Sequence, residues 1–225
     1  SDVHVASMSG GTDICGCFVA SIPTLPVYRG ELQGPCLGMA TAVFDAQGKV
    51  AGKDEKGELV CTVPFPSKPI GFWGDKENEK YLSAYFEGFP GVWTHGDFAS
   101  VSETGGFTLY GRSDATLNSK GVRIGTAEIY RVVETFPQIQ ESMAVSQDWD
   151  NDTRVVLFVV VKEGQDFDDE VAKEIKRALR DQASPRHVPD KIIVAPELPR
   201  TKSNKLVELA VTDVINGRRS EEHTS

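Results

Sequence analysis

Arg154-Val-Val-Leu-Phe-Val-Val-Val-Lys162 is a run of seven apolar residues closed at each end by a cation. The run is short and rich in β-branched residues, so it predicts a strand buried on both faces rather than a helix. Helical patterns lie on either side of it. Upstream, Thr126 to Phe136 sets Ile129, Val132, Val133 and Phe136 at i, i+3, i+4 and i+7, one apolar helix face, with Pro137 at its end. Downstream, Asp168 to Gln182 begins with acids and ends with Lys173, Lys176, Arg177 and Arg180, the charge order that suits a helix dipole. Val171, Ile175 and Leu179 give that helix its apolar stripe. Lys191 to Ala195 reads as a further strand, and Ser203 as the cap of a last helix carrying Leu206, Leu209, Ala210 and Val214. Alternating helix and strand signals in about 100 residues imply a small α+β domain.

The preceding part of the chain differs. It is rich in Gly and Pro, and its strand signals are Glu58 to Val63 after Lys56-Gly57, and Gly106 to Tyr110. Ala42-Val-Phe44 and Val27-Tyr28 are weaker strand signals, and Asp75 to Phe86 is a short polar helix. The character changes at Gly111-Arg-Ser-Asp114. The expected fold is therefore α+β in two parts: a β-rich region over residues 1–112, an α+β domain over 113–218, and a disordered tail over 219–225.

Of the 225 residues, 40% are hydrophobic and 25% charged, the balance of a globular domain, and the net charge is −9. A diffuse acidic surface argues against a nucleic-acid partner, whose phosphates need a basic face. No apolar run approaches the 18 residues of a membrane span, and the first residues lack the features of a secretory signal. The four cysteines, Cys15, Cys17, Cys36 and Cys61, form no zinc pattern and read as buried free thiols in a reducing, cytoplasmic compartment.

Four clusters stand out. Ser9-Gly-Gly-Thr-Asp13 joins glycines, which let a backbone approach a phosphate, to a hydroxyl and a carboxylate able to meet a metal; it also reads as a plain turn. Thr94-His-Gly-Asp97 places a carboxylate after a glycine turn, able to accept from both hydroxyls of a ribose, or merely exposed. Gly111 to Arg123 mixes glycines with Arg112, Lys120 and Arg123, as an inter-domain hinge or a basic surface loop would. Leu198-Pro-Arg-Thr-Lys-Ser-Asn-Lys205 puts Lys205 in the first turn of the last helix, where a cation opposes the dipole, so helix stability does not account for it.

In this order and spacing the clusters resemble the adenylate-forming superfamily of acyl-CoA synthetases. Gly57 to Pro66, Gly71-Phe-Trp73, Phe89 to Asp97, Gly111 to Asn118, Val122 to Tyr130, Ser184 to Pro189 and Pro199 to Ser203 resemble the acetoacetyl-CoA synthetases within it. The resemblance implies a carboxylate–CoA ligase working through an acyl-adenylate, with acetoacetate, acetate, propionate or another short acid as substrate. A non-catalytic regulatory module on the same fold is the alternative.

By the same resemblance, Thr12 touches the α-phosphate of ATP, Asp13 helps hold Mg²⁺, and Gly10 and Gly11 lie against the adenine. Asp97 binds the ribose hydroxyls, Arg112 supports ribose or phosphate, and Arg123, a further nucleotide-binding residue, lies beside Gly121, where coenzyme A approaches. Arg180 meets a coenzyme A phosphate, Asp114 is the hinge of a mobile lid, and Lys205 is the catalytic lysine of the first step. Asn204 stands where the family has Gly, Lys120 where it has a small residue, and Asp13 where many relatives have Glu. The Ser/Thr/Gly-rich phosphate loop and the acyl pocket lie in the family before the position of Ser1. The resemblance therefore implies a piece of a longer enzyme, inactive alone and completed by the N-terminal part of the same chain.

Overall fold

The computed structural model describes residues 3–119, 122–150, 152–202 and 204–218. The chain divides into two compact units, Ser1–Leu109 and Tyr110–Ser225.

In the first unit, β1 (Ser9–Gly11), β2 (Gly16–Ala20) and β3 (Gly34–Pro35) form an antiparallel sheet. A second sheet runs β4 (Thr41–Phe44), β5 (Gly57–Cys61), β6 (Trp93–Val101) and β7 (Phe107–Arg112), in that order. Helix α1 (Glu79–Phe86) packs on β6. The core gathers Ile14, Phe18, Leu59 and Trp93, each no more than 2% exposed, with Phe65 and Tyr81. Tyr85 stacks on the Trp93 ring at 3.8 Å, so one face of α1 is fixed by aromatic contact as well as apolar burial.

Val27-Tyr28 forms no strand. The amide of Gln33 instead satisfies this loop, accepting from Ile22 N (2.9 Å) and donating to the carbonyls of Ile22 (2.9 Å) and Leu25 (2.6 Å). With those groups paired, the segment needs no sheet partner. The cysteines also differ from expectation. Only Cys61 is buried; Cys15 is exposed and Cys17 and Cys36 half-buried, because they sit on a short hairpin and its edge rather than in the core.

The second unit begins with a hairpin of β8 (Leu117–Ser119) and β9 (Val122–Ile124), leading to α2 (Thr126–Val133). Residues 134–136, predicted to be helical, follow as a tightened turn, with Thr135 N and Phe136 N bonded three residues back to Val132 O and Val133 O. The sheet of this unit pairs β10 (Ile139–Trp149) antiparallel to β11 (Asp152–Val161), and β11 parallel to β12 (Lys191–Val194). Helix α3 (Asp169–Gln182) is capped by Asp168, whose carboxylate accepts from Glu170 N and Val171 N. Helix α4 (Glu208–Ile215) closes the unit.

Strand β11 explains the opening run. Val155, Leu157 and Val159 pack with α2 and α3, while Val156 and Val160 face Leu198, Leu206, Val211 and Ile215 on the side of α4. Both faces are covered, so alternation disappears from the sequence. No helix among the described residues is long and apolar enough to cross a membrane.

Candidate active site

The first cluster is the β1–β2 hairpin. Thr12 to Cys15 forms its turn, closed by Cys15 N donating to Thr12 O (3.3 Å) with Cys15 in the left-handed region (φ 46°). A Cβ on Gly10 would lie 2.0 Å from Gly16 O and 2.5 Å from Cys17 Cα. The glycine is thus demanded by the neighbouring strand itself. A Cβ on Gly11 would lie 2.0 Å from Asp13 Oδ1 and 3.1 Å from the His95 ring, so Asp13 folds back over the hairpin towards β6. Tyr85 donates its hydroxyl to Asp13 Oδ2 at 2.7 Å and holds the carboxylate there.

The second cluster is not the turn that its glycine suggests. Thr94 to Asp97 lies inside β6, where the register shifts against β5 between Glu58 and Val60. Gly96 absorbs this bulge at φ 83°, and its N–H goes to Glu58 Oε1 (2.9 Å). The bulge aims the side chains of His95 and Asp97 so that His95 Nε2 stands 3.7 Å from Asp97 Oδ2, while the imidazole packs edge-on to Phe18 at 4.6 Å. The imidazole therefore connects Gly11 on the hairpin to Asp97 on β6. Asp13 and Asp97, far apart in sequence, belong to one site, joined through Gly11 and His95.

That arrangement offers a hydroxyl at Thr12, hairpin N–H groups, and a carboxylate at Asp97 that can accept from a diol. Among the described residues, no group of three or more His, Cys, Asp or Glu side chains gathers for a metal. A lone carboxylate at Asp13 fits Mg²⁺, which keeps several waters and takes phosphate oxygens beside one or two carboxylates.

In the second unit Arg112 grips Asp114, with Nη2 3.0 Å from Oδ2 and Nε 3.3 Å from Oδ1. Arg123 reaches back from β9 to the same segment, donating to Ser113 O (2.8 Å) and Thr116 Oγ1 (3.2 Å). The structure thus brings Arg112, Asp114 and Arg123 together. Beneath them, Tyr130 donates to Glu208 Oε1 (3.0 Å) and accepts from Ala144 N (3.1 Å). Burial first, then the Glu208 charge, pushes the Tyr130 phenol well up; burial likewise raises the Glu208 carboxyl, to which the Asp114 charge adds. Gly121 and Lys120 lie outside the described residues.

Lys205 does not occupy a helical turn. Helix α4 starts at Glu208, and Arg200 to Leu206 closes as a tight loop. Thr201 N donates to Lys205 O (2.8 Å), and Lys205 N donates to Thr201 Oγ1 (3.1 Å). Arg200 donates to Asn204 O (2.9 Å) and pairs with Glu141. Buried Leu198 anchors one end of the loop and Leu206 the other, so these bonds outcompete another helical turn. Asn204 takes φ 67°, the conformation that Gly would otherwise supply, and Lys205 is exposed beside it. The expected cap, Ser203, lies outside the described residues. Arg180 stands exposed in the last turn of α3, on an element separate from the hinge cluster.

Sequence reasoning gave no role to His95, Tyr85, Tyr130 or Glu208. Each makes a contact with a segment distant in sequence, His95 with Gly11, Tyr85 with Asp13 and Tyr130 with Glu208, and no local pattern marks such a pairing.

Residues 128–205 match the model of the AMP-binding enzyme C-terminal domain. The chain is 55% identical over 217 residues to an acetoacetyl-coenzyme A synthetase of Rhizobium meliloti (strain 1021), covering 96% of this chain and 33% of that protein. Against the acetoacetyl-CoA synthetase of Xenopus tropicalis it is 46% identical over 220 residues, 97% of this chain and 33% of the relative. The solved acetoacetyl-CoA synthetase from Streptomyces lividans superposes with a TM-score of 0.88 at 43% identity, over 95% of this chain and 32% of that one. The chain spans about a third of the length of the curated relatives it matches. Over that third it is homologous to the acetoacetyl-CoA synthetases, and over residues 128–205 to the AMP-binding enzyme C-terminal domain.

Proposed function

We propose that the chain is the part of an AMP-forming acid–thiol ligase that holds the nucleotide of an acyl-adenylate and supplies the lysine of the first step. The observation that carries this reading is the junction of the β1–β2 hairpin with β6, where the His95 ring lies against Gly11 and beside Asp97. A phosphate-approaching hairpin and a diol-accepting carboxylate in one site are what an adenylate requires.

In the proposed reaction an acid carboxylate attacks the α-phosphorus of ATP and pyrophosphate leaves; the thiol of coenzyme A then displaces AMP. Thr12 and the hairpin N–H groups bind the α-phosphate, Gly10 and Gly11 lie against the adenine, Asp97 accepts from the ribose, and Arg112 supports ribose or phosphate. Asp13 would hold Mg²⁺, which when bound offsets phosphate charge. Lys205 neutralises charge growing on the transferring phosphate, a contribution of about 3 kcal/mol or more for a positioned charge. Asp114 serves as the hinge that exchanges Lys205 for a coenzyme A surface around Gly121 and Arg180, and Arg123 joins Arg112 in binding the nucleotide. A longer chain supplies the acyl pocket and the Ser/Thr/Gly-rich phosphate loop. The domain boundary at residues 112–113 coincides in this reading with the hinge, and the free thiols suit a cytoplasmic location.

Acetoacetate is the proposed acid, from the similarity to acetoacetyl-CoA synthetases. The test is acid-dependent exchange of pyrophosphate into ATP, and thioester formation with coenzyme A, by the full-length protein over a panel of short acids. Activity with acetoacetate above acetate and propionate is expected. Preference for another acid overturns the substrate, and no exchange with any acid overturns the ligase.

A further inference from the structure

We propose that Glu208 is a positioning residue that couples the hinge at Asp114 to the loop presenting Lys205. The inference rests on the roles given above to those two residues and extends them to a side chain that touches neither substrate nor phosphate.

The geometry is continuous within the second unit. Glu208 is the first residue of α4, two residues beyond the Arg200–Leu206 loop, so its placement bears on where that loop ends. Its carboxylate accepts the Tyr130 hydroxyl proton at 3.0 Å. The Tyr130 oxygen also accepts from Ala144 N at 3.1 Å, which fixes its position while its proton goes to Glu208. Thr126, at the start of α2, bonds the same pair, and its Oγ1 stands 2.9 Å from where a Gly111 Cβ would be. The charge of Asp114 reaches Glu208, and Arg112 partly offsets it by its double hydrogen bond to Asp114. Residues at the hinge, on α2, on β10 and on α4 therefore meet around one carboxylate.

A tie that only held α4 in place would not need this chemistry. A glutamine carbonyl can accept the same tyrosine proton, through a weaker neutral bond but without the cost of a half-buried charge beside a second acid. A carboxylate there makes the α4 anchor sensitive to where Asp114 and its Arg112 partner stand. If backbone rotation at Asp114 moves that pair, the field at Glu208 changes, and with it the preferred seat of α4 and of the Lys205 loop.

The test is a double-mutant cycle in the full-length protein, with Glu208→Gln, Asp114→Asn and both together, read separately on adenylation and on thioester formation. Coupling predicts that Glu208→Gln shifts the ratio of the two half-reaction rates by about threefold or more. It also predicts that the double variant departs from the product of the singles by a similar factor. Equal loss in both steps with a multiplicative double variant overturns the inference. Tyr130→Phe removes the same bond while keeping the ring, and reports the same ratio shift should Glu208→Gln fail to fold. A readout free of turnover is amide exchange over residues 201–206. Asp114→Asn is expected to change it when Glu208 is intact and not in the Glu208→Gln background; identical change in both backgrounds overturns the coupling. Lys205→Ala separates the two levels. If it leaves adenylation intact, the assignment of the lysine fails; if it abolishes adenylation while the cycle is multiplicative, only the role of Glu208 fails.

Discussion

Replacing Gly10 by Ala probes the hairpin at its tightest point. The new Cβ would meet Gly16 O at 2.0 Å, Cys17 Cα at 2.5 Å and Gly16 C at 2.8 Å, all backbone atoms of the paired strand. No rotamer relieves such a contact, so β1 must move by about 1.4 Å or more to reach ordinary van der Waals separation. Overpacking of this kind costs about 1–3 kcal/mol. Strand β1 has three residues and already carries a register irregularity, so it yields locally before the unit unfolds. The displacement carries Gly11, Thr12 and Asp13 away from His95. Expressed in nucleotide binding, the same energy is a loss of about 5- to 150-fold. Gly16→Ala is the matched control: on the opposite strand of the same hairpin its Cβ has no neighbour closer than 3.5 Å, and the expected effect is within about 0.5 kcal/mol. The assay is calorimetric AMP binding by the full-length protein, with urea unfolding alongside. Equal AMP affinity in the two variants would refute the placement of the nucleotide on this hairpin.

Tyr85→Phe keeps the stacking on Trp93 but loses the 2.7 Å bond to Asp13; at a partly exposed site about 0.5–1.5 kcal/mol is at stake, so the apparent KM for ATP should rise about 2- to 12-fold with folding unchanged. Asn204→Val forces a β-branched residue to φ 67°, at a cost of about 1–2 kcal/mol, and should slow adenylation, whereas Asn204→Gly should preserve it; pyrophosphate exchange distinguishes them. The raised Glu208 carboxyl keeps its proton in the folded chain where an unfolded one, at its ordinary 4.5, has lost it. Its contribution to stability is therefore full at low pH and is lost as pH rises from about 4.5 through the raised value, and urea midpoints should show a slope there that Glu208→Gln flattens.

The legible parts of the fold are those whose environment is uniform. Strand β11 announces itself because both its faces are covered, and α3 because Asp168 caps it and Ile175 and Leu179 lie on its buried stripe. Strand β10 escaped notice because its pattern is broken by polar residues that are nonetheless inside: Ser142 is fully buried and donates to Glu134 Oε1 at 3.3 Å. Gly96 signalled a turn by residue type, yet a bulge completed by Glu58 uses the same conformational freedom within a strand. In the candidate site the chemistry-bearing side chains were readable one by one. Their assembly through His95, Tyr85 and Tyr130 was not, since each of these contacts joins segments that the chain order keeps apart. Lys205 stands out in the sequence as a residue in need of explanation, but its loop depends on Arg200 pairing with Glu141 across the unit, which no helical periodicity reveals.

The central claim is that the exposed ammonium of Lys205 serves the adenylation step alone. Its most direct measurement is the rate of acyl-adenylate formation by Lys205→Ala in the full-length protein, set beside the rate at which the same variant converts supplied acyl-adenylate and coenzyme A to thioester. Loss of a positioned charge worth about 3 kcal/mol or more predicts a fall of at least about 100-fold in the first rate and little change in the second. Near-normal adenylate formation, or an equal fall in both rates, would contradict it.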